Sequence, residues 1–391
     1  MVKIKLFRMI LFVVGISIIL PLINSCTKKE KVKIKIAIIG DFPGFRQDKA
    51  LSLILDKFAD SLDCNISIVS PGRLDSSGFD RVRTGENPDV FIFSSELASY
   101  FENTSHLSSQ FSFKNGHTPS ALELHGLNAM PIAFTGIGLY YNKSLMNSAG
   151  LDTAAPANYD ELLSAVEDIN SIDSLYGFAA SMDNFAYKSI LSMTENKELS
   201  SREIPGISQV SSAIVKYTDL ARCGIVETQR QSEALFISGK VGFCFAGTGL
   251  IEKINRQNHT LNYGICPVPT AENSSQCPYC EVIYAGINKN SKNFGTAFKL
   301  LQILLSHSID YTRTLRYHYI PAKKSDFLKS SSEHLKYEFF YNQLPSSYIL
   351  SLSNNPSYPE IISRALRASL LSQEDPYFAL QQSMRGVVGN H

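Results

Sequence analysis

Tryptophan is absent from this 391-residue chain, and neither sign of charge is in excess. The 37 basic and 36 acidic residues give a formal net charge of +1, so composition offers no sign of a nucleic-acid or other polyanionic partner. Low-complexity tracts and repeats of solenoid or propeller period are also missing. Any aromatic stacking therefore depends on the 18 Tyr and 23 Phe residues.

An apolar run from Met9 to Leu22 follows three basic residues near the start of the chain. It is shorter than the roughly 20 residues of a spanning helix and fits the core of an export signal. The run ends in Leu22-Ile23-Asn24-Ser25-Cys26, which resembles a bacterial lipobox. We therefore expect residues 1–25 to be a lipoprotein signal peptide, Cys26 to carry acyl chains such as palmitate, and residues 26–30 to be a tether. The alternative is an ordinary signal peptide followed by an incidental cysteine.

The 365 residues that follow Cys26 exceed the usual size of one domain, so two lobes are expected. Lys31 to Gly40, Ile66 to Val69 and Pro88 to Phe93 are predicted strands, and Gln47 to Asp60 has the apolar spacing of a helix. This alternation predicts an α/β lobe with a mainly parallel sheet. Ligands of such lobes meet the loops after the strands.

The stretch from Met130 to Glu161 predicts a passage between two packed units. Pro131 disfavours helix at the preceding residue, and Gly136 and Gly138 allow tight backbone passage. Asn158 is a predicted helix cap with Glu161 in the capping-box position.

Two later segments predict polar loops after strands. Tyr176 to Ser181 is a predicted strand, followed by a loop and a helix start near Tyr187. Val241 to Ala246 is another, and it leads into Gly247-Thr248-Gly249 before a helix. Backbone N–H groups at that helix start suit an anion or hydroxyl oxygens. The nearby Gly-Lys lacks the upstream glycine of a P-loop, which excludes nucleotide hydrolysis.

Two motifs suggest other chemistry and are set aside. Cys277-Pro278-Tyr279-Cys280 resembles a glutaredoxin motif, but it precedes a predicted strand, Glu281 to Ala285, instead of a helix. A local disulfide or incidental thiols fit better, and no partner motif completes a zinc site. Tyr140 and Tyr141 are adjacent, so strand alternation points them to opposite faces and excludes joint iron ligation. We expect core packing with one ring exposed.

The order of several short motifs is similar to that of the extracellular solute-binding proteins of ABC importers, family 1, the group that holds the maltose- and other sugar-binding proteins. The motifs are these: Pro88-Asp89-Val90, Leu139-Tyr140-Tyr141-Asn142-Lys143, Ala149-Gly150-Leu151, Pro156 to Leu162, Ala234-Leu235-Phe236 to Gly242, Tyr263 to Pro269, Ala285-Gly286-Ile287-Asn288, Ile320-Pro321-Ala322 and a helix pair from Tyr358 to Val387. The resemblance implies a two-lobe, type II periplasmic-binding-protein-like fold with a ligand cleft between the lobes. It places the first lobe at residues 31–134 plus 285–326 and the second at residues 135–284 plus 327–391. It also implies that Pro131 to Gly138 form the first crossing between the lobes, with Gly136 and Gly138 as the hinge, and that Leu139 to Asn142 begin the second lobe as a strand.

The resemblance also implies which residues face the ligand. Carried over by position, they are Phe42, Arg46, Ser94, Glu96, Thr135, Asn184, Phe185, Tyr187, Thr248, Gly249, Tyr284 and Tyr358. Gly249 stands where the sugar binders often have Trp, which argues against long oligosaccharides. A small sugar, a polyol, or a phosphorylated or otherwise anionic solute stays open, with Arg46 as the charge of interest.

The expected function is that of a substrate-binding lipoprotein, exported and anchored at the cell membrane or facing the periplasm. It would capture a small carbohydrate or polyol by lobe closure and deliver it to ABC permease subunits, as a monomer without cofactor or metal. Two alternatives stay open. One is a sensory or scaffold lipoprotein of the same fold. The other is an enzyme acting on glycosides or thiols. Glycoside hydrolysis would require a second carboxylate across the cleft from Glu96.

Overall fold

The structure is a computed structural model, and it describes residues 31–39, 55–56, 58–69, 87–102, 107–109, 120–124, 126–183, 185–195, 205–270, 278–306, 319–324, 334–351 and 357–388. The predicted signal peptide, Cys26, the tether and most of the predicted helix from Gln47 to Asp60 lie outside these ranges. The strands are β1 Val32–Ile39, β2 Cys64–Val69, β3 Val90–Ser94, β4 Met130–Asn142, β5 Tyr176–Ser181, β6 Ile225–Glu227, β7 Val241–Gly247, β8 Tyr263–Cys266, β9 Tyr279–Ile287, β10 Ile320–Pro321 and β11 Tyr348–Ile349. The helices are α1 Ala98–Glu102, α2 Lys143–Ser148, α3 Tyr159–Asn170, α4 Ala186–Ser192, α5 Ile207–Arg222, α6 Gln229–Ile237, α7 Gly249–Gln257, α8 Phe294–Ser306, α9 His334–Gln343, α10 Tyr358–Leu371 and α11 Pro376–Val388.

The strands join into one curled sheet whose main path runs β2-β1-β3-β9-β4-β7-β5-β6. The outer pairs at both ends are parallel: β1 with β2 and β3, and β5 with β6 and β7. The central pairs β3–β9, β4–β9 and β4–β7 are antiparallel. The predicted parallel arrangement therefore holds at the two ends, and two long antiparallel strands join them. We call the β1–β3 side the first end of the sheet and the β5–β7 side the second end.

Strand β4 is the connection between the two ends, and it has no break. Its 13 residues are all buried. Met130 to Gly136 pair with β9, and Ile137 to Tyr141 pair with β7. The predicted passage at Pro131 to Gly138 is thus a strand that changes partner, and Leu139 to Asn142 continue it instead of starting a new strand.

Alternation along β4 sends Tyr140 and Tyr141 into different cores, as predicted. The expectation that one of these rings is exposed is wrong, because Tyr140 is 0% and Tyr141 is 7% exposed. Tyr141 is covered because its ring lies over Gly264 of β8, where a Cβ atom would come within 2.1 Å of the ring.

Three clusters of apolar side chains form the core. One lies at the first end around Ile34, Ile36 and Leu301, and one at the second end around Val166 and Phe178. The third runs beneath the middle of the sheet and contains residues of both ends, together with α9. Packing against α9 therefore holds the centre of the sheet on one side.

Local signals in the sequence position the helices well. The Asn158 side chain accepts a hydrogen bond from the N–H of Glu161 at 2.9 Å, which confirms the predicted cap of α3. The carboxylate of Glu161 accepts from the N–H of Ala157 at 2.9 Å, one residue before the position that the capping box predicts. None of the helices in the described ranges combines the length and apolarity that a bilayer crossing requires.

Candidate functional site between the two ends of the sheet

Glu96 follows the buried strand β3 and lies in a single 3-10 turn, Ser95–Leu97. The hydroxyl of Ser95 accepts a hydrogen bond from the N–H of Val282 on β9 at 3.2 Å. This bond holds the turn against the centre of the sheet. Glu96 is partly exposed at the carboxyl end of β3, the end of a strand at which ligands of α/β lobes bind.

Two tyrosine hydroxyls donate to the same oxygen of Glu96. Tyr187 is on α4, which follows strand β5 at the second end of the sheet. Tyr279 begins β9, and its hydroxyl lies 2.7 Å from Glu96 Oε1. The two rings meet edge to face at 6.1 Å, and the N–H of Tyr279 donates to the hydroxyl of Ser192 at the end of α4. The contact therefore joins the first end of the sheet to the second.

Burial, and next the negative charge of Glu96, raise the pKa values of Tyr187 and Tyr279 well above the ordinary value. Both phenols consequently keep their protons at neutral pH and act as donors to the carboxylate. The carboxylate is the acceptor of a charge-assisted pair of bonds.

A buried ion pair lies beside this cluster. Lys188 Nζ on α4 is 2.5 Å from Glu281 Oε2 on β9, and the Tyr319 hydroxyl donates to Glu281 Oε1 at 3.2 Å. The ammonium also lies 5.8 Å and 5.6 Å from the ring centroids of Tyr187 and Tyr279. Burial raises the pKa of Glu281, the positive charge of Lys188 opposes this shift, and the negative charge of Glu96 adds to it.

Thr135 and Thr248 form a third polar contact where β4 changes partner. Their hydroxyl oxygens are 3.0 Å apart, and the N–H of Thr248 also points at Thr135 Oγ1 at 3.3 Å. Thr135 is opposite Glu281 in the β4–β9 register, which places this contact next to the ion pair. The backbone donor expected for a ligand at Thr248 thus has a partner within the chain.

The structure brings some of the sequence-predicted residues together. Glu96 and Tyr187 are bonded, and Ser94 ends β3 just before Glu96. Phe185 is half-buried at the start of α4, two residues before Tyr187. Thr135, Thr248 and Gly249 form the neighbouring group. Phe42, Arg46 and Asn184 lie outside the described residues.

Two other predicted residues lie elsewhere. Tyr284 is fully buried, and its hydroxyl donates to the carbonyl of Leu122 at 2.8 Å. Alternation along β9 sends Tyr284 into the central core, on the face opposite Tyr279 and Glu281. Tyr358 is 2% exposed in the core of the second end, and its hydroxyl donates to the carbonyl of Pro205. Neither takes part in the cluster around Glu96.

Sequence reasoning did not select Lys188, Tyr279, Glu281 or Tyr319. Glu281 had a usable signal, because it is the one charged residue in the nine-residue strand β9. A charge in a strand buried on both faces requires a partner nearby. Lys188 had no comparable signal, since a lysine on a short helix is ordinary.

Thiol and metal chemistry find little support in the described parts of the chain. Cys280 is a fully buried, unpaired thiol in β9, and burial raises its pKa, whereas a nucleophilic cysteine requires a lowered one. Cys277 lies outside the described residues. Among the residues that are described, no three His, Cys, Asp or Glu side chains are grouped for a metal ion.

The family model of the bacterial extracellular solute-binding proteins matches residues 75–309, which is more than half of the sequence. The chain belongs to this family.

Curated relatives agree with this assignment over part of their length. The chain is 28% identical over 224 residues to a protein named "Putative binding protein" from Brucella abortus (strain 2308), and equally to one from Brucella suis biovar 1 (strain 1330). Each match covers 54% of this chain and 54% of the relative. The chain thus spans about half the length of the curated relatives it matches.

Solved structures show the same fold over nearly the whole chain. An ABC transporter solute-binding protein from Thermotoga lettingae TMO, bound with alpha-D-tagatose, superposes with a TM-score of 0.68 at 17% identity, covering 91% of this chain and 99% of that one. An ABC substrate-binding protein from Listeria monocytogenes, in complex with cycloalternan, gives 0.67 at 15% identity, covering 92% and 99%. At these identities the likeness establishes the fold alone, and it confirms the predicted two-lobe α/β fold.

Proposed function

We propose that this protein is the exported substrate-binding component of an ABC importer, which captures a small carbohydrate or polyol between its lobes and delivers it to permease subunits. The observation that carries the proposal is the meeting of Glu96 from the first end of the sheet with Tyr187 from the second. Aromatic rings and charged hydrogen-bonding groups are the side chains that hold sugar faces and hydroxyls. The sugars bound by the Thermotoga and Listeria proteins support this ligand class.

Closure supplies the mechanism. A solute that contacts Glu96 and Tyr187 at the same time binds more tightly when the lobes are together, so its binding shifts the population towards the closed form. In this proposal the lobes comprise residues 31–134 plus 285–326 and residues 135–284 plus 327–391. The change of partner along β4 at Gly136 and Ile137 supports the first boundary.

A lipid anchor at Cys26 completes the proposal. Acyl chains on this cysteine hold the protein at a membrane surface without a spanning segment. A clickable fatty acid fed to expressing cells should label the wild type and leave a Cys26→Ala variant unlabelled. Equal labelling of both proteins would reject the anchor without affecting the binding proposal.

The binding proposal is tested by a thermal-shift screen of sugars, polyols, phosphorylated polyols and amino acids, followed by calorimetry. A solute present at about 100 times its Kd stabilises the folded state by about 2.7 kcal/mol. Glu96→Ala should weaken binding of the hit at least tenfold. Glu360→Ala is the matched control, because Glu360 pairs with Arg364 on the exposed side of α10. The proposal fails if no solute class raises the melting temperature.

A further inference from the structure

The carboxylate of Glu96 has uncharged partners. Its oxygen Oε1 accepts the hydroxyls of Tyr187 and Tyr279, and both phenols are protonated. Among the ion pairs of the described residues, none includes Glu96. The phenols orient the carboxylate by hydrogen bonding, but they leave its negative charge in place.

The nearby cation is engaged by another acid. Lys188 Nζ pairs with Glu281 at 2.5 Å, in a contact where the two side chains are 19% and 6% exposed. Tyr319 donates a further hydrogen bond to Glu281, which fixes the position of this carboxylate. If Lys188 moved away, the buried carboxylate of Glu281 would lose its counter-charge, which is costly. The ammonium is therefore held at Glu281 and is not available to a ligand anion.

Among the described residues of the cluster, the one ammonium, that of Lys188, pairs with Glu281, and the charge of Glu96 is paired with no cation of these residues. Like charges repel strongly in a partly desolvated site, whereas hydroxyl and ammonium groups donate to a carboxylate. The charge of Glu96 therefore distinguishes between the solute classes that the sequence leaves open, which are neutral sugars and polyols on one side and phosphorylated or otherwise anionic solutes on the other.

We propose that Glu96 sets the ligand class of the cleft, by accepting from a solute that is neutral or carries an amino group and by rejecting phosphorylated or acidic solutes. The inference rests on the proposed binding function and sharpens it. It assigns to Glu96 a role in specificity, whereas the Lys188–Glu281 pair positions the surrounding elements. A polyhydroxylated solute can donate one of its hydroxyls to Glu96, and an amino sugar can donate its ammonium in a charge-assisted hydrogen bond.

Matched sets of solutes test this assignment by calorimetry on the purified mature chain. One set is glucose, glucosamine and glucose 6-phosphate, and the other is mannitol and mannitol 1-phosphate, with further sets built in the same way on any hit of the wider screen. The neutral and amino members should bind at least tenfold more tightly than their phosphorylated counterparts. Glu96→Gln keeps an acceptor for both phenols but removes the charge, so it should reduce this preference about tenfold. Glu360→Gln, which removes an exposed acid of α10, should leave the preference unchanged.

A measurement on the wild type keeps the test independent of how the variant folds. Because salt screens charge repulsion, raising the ionic strength to about 0.5 M should narrow the gap between neutral and phosphorylated members. Tight binding of a phosphorylated member, or an unchanged preference in folded Glu96→Gln, would overturn the inference while leaving the binding function intact. Failure of every solute to bind would overturn the proposed function, and this inference with it.

Discussion

Tyr187 donates a hydrogen bond to Glu96 across 91 positions of the sequence, and in doing so joins α4 at the second end of the sheet to the turn after β3 at the first. Tyr279 donates to the same carboxylate oxygen. The polar contact between the two ends of the sheet thus depends on one acceptor with two donors.

Tyr187→Phe should favour the open form of the protein. A hydrogen bond to a charged group contributes about 1.5–3 kcal/mol, so its loss lowers the ratio of closed to open molecules at least tenfold. Small-angle X-ray scattering of the ligand-free protein should show a larger radius of gyration than in the wild type.

Tyr358→Phe is the control for this measurement. It removes a tyrosine hydroxyl that donates to the Pro205 carbonyl within the core of the second end. Its radius of gyration and its affinity for a hit solute should equal those of the wild type. An unchanged radius in Tyr187→Phe would show that the contact with Glu96 does not hold the two ends together.

Glu281→Gln should destabilise the fold by about 1–3 kcal/mol, because it leaves the partly buried Lys188 ammonium without its counter-charge while keeping an acceptor for Tyr319. Urea unfolding measures the difference. Glu338→Gln breaks the pair with Lys324, whose side chains are 38% and 39% exposed, and should cost no more than about 1 kcal/mol. Equal effects of the two substitutions would mean that burial adds nothing to the Lys188–Glu281 pair.

The pH dependence of stability should also report on Glu281. Burial raises its pKa above the ordinary value, with Lys188 opposing the shift. Just above pH 4.5 the folded protein therefore binds more protons at this site than the unfolded chain does. The stability that the Glu281 carboxyl contributes through this difference is fully present below its pKa in the unfolded chain. It is lost as the pH rises through the pKa of Glu281 in the folded protein. The stability of the wild type relative to Glu281→Gln should therefore be highest at acid pH and should fall as the pH rises. A difference in unfolding free energy that does not depend on pH would contradict the raised pKa of Glu281.

The elements of this fold were predictable where local signals fix them. Short apolar runs predicted β3 and β5, and the Asn158 cap predicted the start of α3. The continuity of β4 was not predictable, because its glycines and proline are residues that usually interrupt or end a strand. Pairing with β9 and then with β7 overrides that preference.

The candidate site was predictable in part for a different reason. Loops after strands are a general location for ligands, and the resemblance to the solute-binding proteins placed Glu96 and Tyr187 at two of them. The partner of a buried charge is set by how distant elements pack, and Lys188 and Glu281 are 93 positions apart. Tyr284 was selected by position alone, whereas one position along β9 decides which face a side chain takes, and the structure puts Tyr284 on the face opposite Glu281.

Strand β4 approaches its neighbours closely at Gly138. A Cβ atom at this position would lie 2.9 Å from Ile265 Cγ2 and 3.2 Å from the ring of Phe339 on α9. Gly138→Ala therefore overpacks the centre of the sheet and should cost about 1–3 kcal/mol of stability. At Gly136 the nearest atom would be the Phe340 ring at 3.1 Å, so Gly136→Ala should cost less.

Gly295 provides the matched control for these variants. It lies in the first turn of α8, and a Cβ atom there would meet nothing within 4 Å. Gly295→Ala should leave stability unchanged or raise it by up to about 1 kcal/mol, because alanine loses less backbone entropy in a helix. Urea unfolding measures stability, and calorimetry with a hit solute measures affinity. If Gly138 serves as a hinge, Gly138→Ala should weaken binding beyond any effect of Gly295→Ala under conditions where both proteins are fully folded. If only the stability changes, close packing against Ile265 and Phe339 accounts for the glycine, and closure must bend the chain elsewhere.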